Sequence, residues 1–364
     1  MKHLQFILIL ISLSLCIACE RSTGEADSLD TNQVSDSLME ADSVALLIES
    51  LGKQIIMFPK NPSLYIERSY LLYTSGKTAQ AIEDIEKAIQ LNEKDPEAHY
   101  LRGYYALVSN QDSLAKDYLL KAVAYGSENP ETYFSLGNLY VFQKNYPEAM
   151  NWYAVAMKKD SLDPNYPFAM GMLYYQQKQY PRALKWYEQA LELDPYFSKA
   201  LVQMYAYYSD VQGNMGKAME YNHRLLQLDS LHPVGRFHLA AQLQEKAFLA
   251  GRKKNARAEY DSLMMKAIDE YSKALRRNPT YVQALYNRGY AFYALSMYDE
   301  AMFDFEKVLG VDKFHARTYF MMASIYEFRQ DFENAKKFFE IALQLQPDFK
   351  DAQTAIRELE IKMK

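Results

Sequence analysis

Apolar and polar positions along this chain fall into three regimes. From Leu4 to Ile17 the sequence is apolar, broken only by Gln5, Ser12 and Ser14. From Glu20 to about Ser35 it is polar and nearly free of apolar residues. Beyond that, apolar residues return and the pattern repeats. A small residue recurs at Ala81, Ala115, Ala149, Ala183, Ala218, Ala267, Ala301 and Ala335, in steps of 34, 34, 34, 35, 49, 34 and 34. Seven residues beyond each lie Ala88, Ala122, Ala156, Ala190, Leu225, Ala274, Val308 and Ala342. With only 13 Gly in 364 residues, and with Ala, Leu, Glu, Lys and Gln common, the repeating unit reads as helical.

A period of 34 with this pattern resembles the tetratricopeptide repeat. The fullest unit is Tyr133-x-x-Leu136-Gly137-x-x-Tyr140 followed by Ala149, Tyr153 and Ala156. A second is Leu285-x-x-Arg288-Gly289-x-x-Phe292 followed by Ala301, Phe305 and Val308, and a closing proline appears as Pro195, Pro279 and Pro347. The resemblance implies an all-α fold, a right-handed α-solenoid of about eight helix pairs with a capping helix at each end. The units are expected at 62–95, 96–129, 130–163, 164–197, 198–232, 233–281, 282–315 and 316–349. Each buries its apolar face only against its neighbours, so the array needs ends. Residues 36–61, with Leu46, Leu47, Leu51 and Ile55, read as a partial N-terminal repeat, and 350–364 as a polar cap.

Within a unit, Gly103, Gly137, Gly171 and Gly289 are expected on the first helix, facing the alanine that opens the second. Tyr153, Tyr187, Tyr271, Phe305 and Phe339 are expected to fill the core. Two units break the pattern. The fifth has one extra residue near Gly213-Asn214-Met215-Gly216, and Tyr205 where a small residue is expected. The sixth has 15 extra residues, read as two lengthened helices joined near Gly251. Arg252, Lys253, Lys254 and Arg257 would crown that protrusion, either as a solvated tip or as a docking knob for an acidic partner or lipid head groups.

The first regime reads as an export signal, residues 1–18, with Lys2 and His3 as its basic start; it is too short to span a bilayer. Its end, Cys16-Ile17-Ala18-Cys19, resembles a bacterial lipobox, which implies cleavage before Cys19 and lipidation there. The departure is Cys16, where Leu is usual; the alternative is an ordinary secretory signal with a cysteine near the cut. Glu20 after Cys19 favours the outer membrane within that resemblance. Residues 19–35 read as a flexible acidic tether. Cys16 and Cys19 are the chain's only cysteines, which leaves no thiol for a disulfide or metal site in the body. The formal net charge of −5 makes nucleic acid a poor expectation.

Candidate chemistry is sparse. Gly76-Lys77-Thr78 lacks the glycine and the preceding strand of a phosphate loop. The six histidines are scattered, and none makes a metal-ligand spacing on one helix face. No cofactor, metal or catalytic residue is therefore expected. The resemblance places binding on a concave face lined by the second, fifth, ninth and twelfth positions of the first helices. Those positions offer Tyr70, Tyr73, Tyr100, Tyr104, Phe134, Asn138, Phe168, Tyr175, Phe237, Tyr286, Tyr290, Tyr293 and Phe320. Rings of this kind supply contact area at small entropic cost. The expected function is a non-enzymatic scaffold in the bacterial envelope, holding an envelope enzyme or assembly factor. The alternative is a glycan- or peptidoglycan-binding module using the same rings.

Overall fold

A computed structural model describes the backbone of residues 31–253 and 255–363, with side chains from residue 43. The expected signal, Cys19, the tether as far as residue 30, and Lys254 lie outside the described residues. Every regular element among the described residues is helical.

The first helix, α1, runs Thr31–Met57 and so begins inside the stretch read as tether. Eight helix pairs follow: α2 Pro62–Thr74 and α3 Thr78–Leu91; α4 Pro96–Val108 and α5 Asp112–Ala124; α6 Pro130–Phe142 and α7 Tyr146–Lys159; α8 Asn165–Gln176 and α9 Tyr180–Leu193; α10 Ser198–Ala206 and α11 Met215–Leu228; α12 Pro233–Gly251 and α13 Arg257–Arg277; α14 Val282–Ala294 and α15 Tyr298–Val311; α16 Ala316–Phe328 and α17 Phe332–Leu345. The closing helix is α18, Lys350–Lys362. These helix pairs form an α-solenoid. The chain divides into two compact units, one ending at Pro195 and the other spanning Tyr196–Lys364.

Local chemistry starts the helices sharply. Asn61, Asp95 and Asn129 each accept a hydrogen bond from a backbone N–H of the helix they precede. Pro62, Pro96 and Pro130 then occupy the first helical position, where the missing N–H costs nothing. The turns inside the pairs share a second device, a left-handed residue at Gly76, Asn110, Lys144, Lys178, Gly213, Ser296 and Gln330. Most of these are not glycines, so the turn is held by its hydrogen bonds, as where the N–H of Lys144 donates to the Val141 carbonyl (2.9 Å) and that of Asn145 to the Tyr140 carbonyl (2.9 Å).

In the four pairs that carry Gly103, Gly137, Gly171 or Gly289, the glycine of the first helix meets a side chain four residues past the alanine, rather than chiefly the alanine itself. A Cβ on Gly137 would lie 2.3 Å from the Tyr153 ring, one on Gly171 2.5 Å from Tyr187, one on Gly289 2.8 Å from Phe305, and one on Gly103 2.8 Å from Leu119. The alanines Ala149, Ala183 and Ala301 are fully buried beside these rings. Burying a ring of this size contributes about 1.5–3 kcal/mol. It also pushes the Tyr153, Tyr187 and Tyr271 hydroxyls above their ordinary pKa, because burial disfavours the phenolate.

Two expectations on irregular segments need correcting. The extra residue of the fifth pair is absorbed earlier than expected, in a π turn over Tyr207–Val211 that continues α10. One residue inserted in a helix is accommodated by widening one turn, which keeps both flanks helical. In α1, Leu51 and Ile55 are buried against the first pair, but Leu46 and Leu47 are 67% and 54% exposed and do not join the core. The sixth pair is lengthened in both helices, and its extension packs Ala247, Met264 and Ile268 onto Ala291 of α14.

Candidate functional site

The first helices of neighbouring pairs touch one another, α2 with α4 and α4 with α6 in one unit, α12 with α14 and α14 with α16 in the other. Most of the candidate binding rings sit on these helices, and they fall into two classes.

The fifth-position rings are wedges. Phe134 sits between Tyr153 (5.3 Å) and Tyr166 (5.2 Å), and Phe237 between Tyr271 (5.8 Å) and Tyr281 (5.2 Å). Tyr286 sits between Phe305 (5.9 Å) and His315 (5.1 Å), and Phe320 between Phe339 (5.4 Å) and Phe349 (5.0 Å). Phe168 packs on Tyr187 (5.7 Å). Tyr100 is buried at 8% exposure, and burial raises its hydroxyl well above the ordinary value. Tyr100 is thus corrected from an exposed groove residue to a core one, whereas Phe134, Phe237, Tyr286 and Phe320 are half-buried between their ring neighbours. Asn138 Oδ1 accepts from the Tyr153 hydroxyl at 2.6 Å, which satisfies a buried phenol.

The ninth- and twelfth-position rings are half-buried and pack on one another. Tyr73 stacks on Tyr105 (4.1 Å) and meets Tyr104 edge-on (5.9 Å), with Tyr70 packed against the same cluster. Tyr175 meets Tyr180 (5.2 Å). Tyr290 lies 6.5 Å from Tyr293, which meets Tyr298 at 5.7 Å. All three rings of the stripe Tyr286, Tyr290 and Tyr293 are half-buried, the first lodged between Phe305 and His315 and the other two packed on neighbouring tyrosines. The lengthened α12 adds Phe248, 6.0 Å from Tyr290, to the same face.

At the tip of the sixth pair, Arg252 and Lys253 are exposed, but Arg257 is occupied by Asp261 (2.9 Å) and by the Tyr260 ring (5.3 Å).

Two carboxylates stand at the second of the positions that carry the candidate rings. Glu97 and Glu131 hold the second position of α4 and α6 and are half-buried. Glu97 accepts from Asn129 Nδ2 (3.3 Å), and Glu131 from the Tyr166 hydroxyl (2.9 Å). Burial raises both pKa values, that of Glu131 to about 7, with Asp163 and Asp160 adding repulsion. The position rule that selected the rings selects these two as well. In the second unit, Tyr205 stacks on His238 (3.5 Å), whose Nδ1 faces Asn222 Oδ1 at 3.2 Å. Among the described residues no group of three or more His, Cys, Asp or Glu could hold a metal ion, and no helix is long and apolar enough to cross a membrane.

This architecture is matched by family models described as "Tetratricopeptide repeat", over residues 168–197 and 282–315 and again over 316–349, and as "TPR repeat", over 70–108 and 265–296. The chain is a tetratricopeptide-repeat protein. Its repeats are of a kind that generally act as non-catalytic protein-interaction modules. No curated protein matches this tetratricopeptide-repeat chain in sequence. Among solved structures it resembles the human IFIT1 dimer with m7Gppp-AAAA, at 18% identity over 90% of this chain and 79% of that one, with a TM-score of 0.55. It also resembles the APC/C hetero-tetramer Cut9–Hcn1, at 16% identity over 86% of this chain and 58% of that one, with a TM-score of 0.54. At these identities the likeness extends to the fold alone.

Proposed function

We propose that this tetratricopeptide-repeat protein is a non-enzymatic scaffold of the bacterial cell envelope, lipid-anchored at Cys19, that holds a protein partner on the aromatic face of its first helices. The carrying observation is the half-buried tyrosines on those helices, Tyr70 and Tyr104 in the first unit and Tyr290 and Tyr293 in the second. Part-exposed tyrosine is favourable contact surface because little side-chain entropy is lost on binding. Localisation rests on the leader: the basic start, the short apolar run and Ala18-Cys19. The partner is an envelope enzyme or assembly factor.

Affinity capture from detergent-solubilised membranes tests the reading. Wild type is compared with Tyr70→Ser and with the double variant Tyr290→Ser/Tyr293→Ser, which spare the wedges. Loss of one protein set from the variants, with helicity unchanged, supports a partner held by these rings. Identical capture by folded variants removes the groove from the account and returns attention to glycans. Cys19→Ala is expected to move the chain from the membrane to the soluble fraction.

A further inference from the structure

We infer that the tip of the sixth pair docks on an anionic lipid surface, through Arg252 and Lys253 with Leu249 beside them. The inference goes beyond the scaffold reading and depends on neither the tyrosine face nor the anchor at Cys19.

The tip projects. Its helices α12 and α13 have 19 and 21 residues, against 13 and 14 in α14 and α15 of the next pair. At 1.5 Å per residue the added turns carry it roughly 9 Å past that pair. The turn there is built rather than slack. A Cβ on Gly251 would lie 2.9 Å from the Tyr260 ring, the N–H of Lys253 donates to the Ala250 carbonyl (2.9 Å), and Asn255 is left-handed at φ 66°. Backbone ordered before contact loses little freedom on docking.

Charge at the tip opposes that of the chain. Between residues 252 and 260 four basic residues stand against one acidic residue, Glu259, whereas the whole chain carries −5. Arg257 is engaged by Asp261, but Arg252 and Lys253 are exposed and enter none of the described ion pairs. An anionic bilayer attracts such cations and repels an acidic body, each over a screening length of about 8–10 Å at physiological salt. A projection of that size lets the cations meet head groups while the neighbouring pair stays where its repulsion is screened.

Leu249 favours lipid over an acidic protein. It is 52% exposed on the last turn of α12, and Phe248 beside it is 36% exposed. Leu249 stands three residues before Arg252, whose backbone is still αR, so the two share a face. A bilayer takes an aliphatic side chain into the boundary between head groups and acyl chains while the cations stay with the phosphates. An acidic protein surface gains from the cations and leaves the leucine unused.

The test uses residues 20–364, which keep every described residue and lack the leader and the anchored cysteine. Cosedimentation is measured with vesicles of phosphatidylcholine alone and of phosphatidylcholine mixed with phosphatidylglycerol. The chain is expected to bind the mixed vesicles, less so as salt rises, and to leave the neutral ones. Arg252→Gln/Lys253→Gln should weaken that binding at least about tenfold, the size expected for two cations near the surface. Leu249→Gln should weaken it severalfold at unchanged charge, and thermal midpoints should stay where they are, since all three side chains are exposed. No binding to the mixed vesicles by the folded chain, or binding indifferent to either variant, overturns the inference. So does a glutamate-rich peptide that displaces the vesicles while Leu249→Gln changes nothing, which would make the tip a site for an acidic protein.

Discussion

In the unit ending at Pro195, three consecutive pairs set a glycine, Gly103, Gly137 or Gly171, against Leu119, Tyr153 or Tyr187. In the unit beginning at Tyr196 only Gly289 does so; the equivalent residues of the other pairs are Tyr205, Ala240 and Ala323, all buried. The first unit thus solves the same contact three times in the same way, while the second accommodates a π turn, a lengthened pair and larger side chains at the crossing. Regular repetition makes the energetic cost of a substitution transferable from pair to pair. Irregular repetition makes it local, and a polar network then carries what the glycine contact does elsewhere: Asn222 donates to the Gly235 carbonyl (3.0 Å) and His238 bridges Asn222 to Tyr205.

One ion pair recurs in both units and gives the largest expected effect. Arg68 meets Asp84 at 2.6 Å in the first pair, and Arg288 meets Asp304 at 2.7 Å in the seventh, both through two parallel bonds. Asp304 is 1% exposed, Asp84 9%, and Arg288 is less exposed than Arg68. Removing one partner of a buried pair leaves the other charge unpaired. Asp304→Ala is therefore expected to cost about 3 kcal/mol or more, and Asp84→Ala clearly less. Chemical unfolding of the two variants checks the order; equal losses would mean that the wider solvent access of Arg68 does not rescue it.

The glycine contact comes next in size. Gly137→Ala is expected to cost about 1–3 kcal/mol, because the Tyr153 ring must leave a well-packed site. Gly289→Ala should cost less, since its Cβ would stand 2.8 Å from Phe305 rather than 2.3 Å from a ring. Gly310→Ala, with open space around it, should gain up to about 1 kcal/mol from helix propensity. Thermal midpoints rank the three; a neutral Gly137→Ala would show that the pair opens more easily than its packing implies.

The repeat was legible because its signal is steric and periodic. Ala149, Tyr153 and Ala156 must be small, large and small wherever two helices cross, so spacing alone exposes the fold. The π turn was not legible, since one added residue can be absorbed anywhere that keeps the flanks in phase, and Gly213 drew the expectation towards the turn instead of Tyr207. The left-handed turn residues were equally hidden, because Lys144 and Lys178 carry no compositional mark of that conformation. On the first helices the position rule picked out the rings but not their packing: that Tyr286 lodges between Phe305 and His315 depends on residues distant in sequence. Glu97 and Glu131 were within reach of the same rule, yet a search for rings does not notice carboxylates.

The smallest expected effect is also the sharpest contrast between the units, because each carries a pH lever of opposite sign. Glu131 has its pKa raised from 4.5 to about 7 by burial, so between those values the folded first unit holds a proton that the unfolded chain releases. Its contribution to stability is fully present below about pH 4.5 and is lost as pH rises through about 7. His238 is pushed down from 6.5 to about 3, again chiefly by burial, with His232 adding repulsion. Its contribution is present above about pH 6.5 and is lost as pH falls towards 3. The chain's only two tryptophans, Trp152 and Trp186, both lie in the first unit, so tryptophan fluorescence reports that unit, while amide exchange over residues 198–277 reports the second. Between pH 7 and pH 5 the denaturant midpoint seen by tryptophan should rise as exchange protection in the second unit, corrected for the intrinsic rate, falls. Glu131→Gln should flatten the first slope and His238→Gln the second. Parallel slopes in both probes would mean that the units respond as one body to charge, and that neither Glu131 nor His238 sets the local pH response.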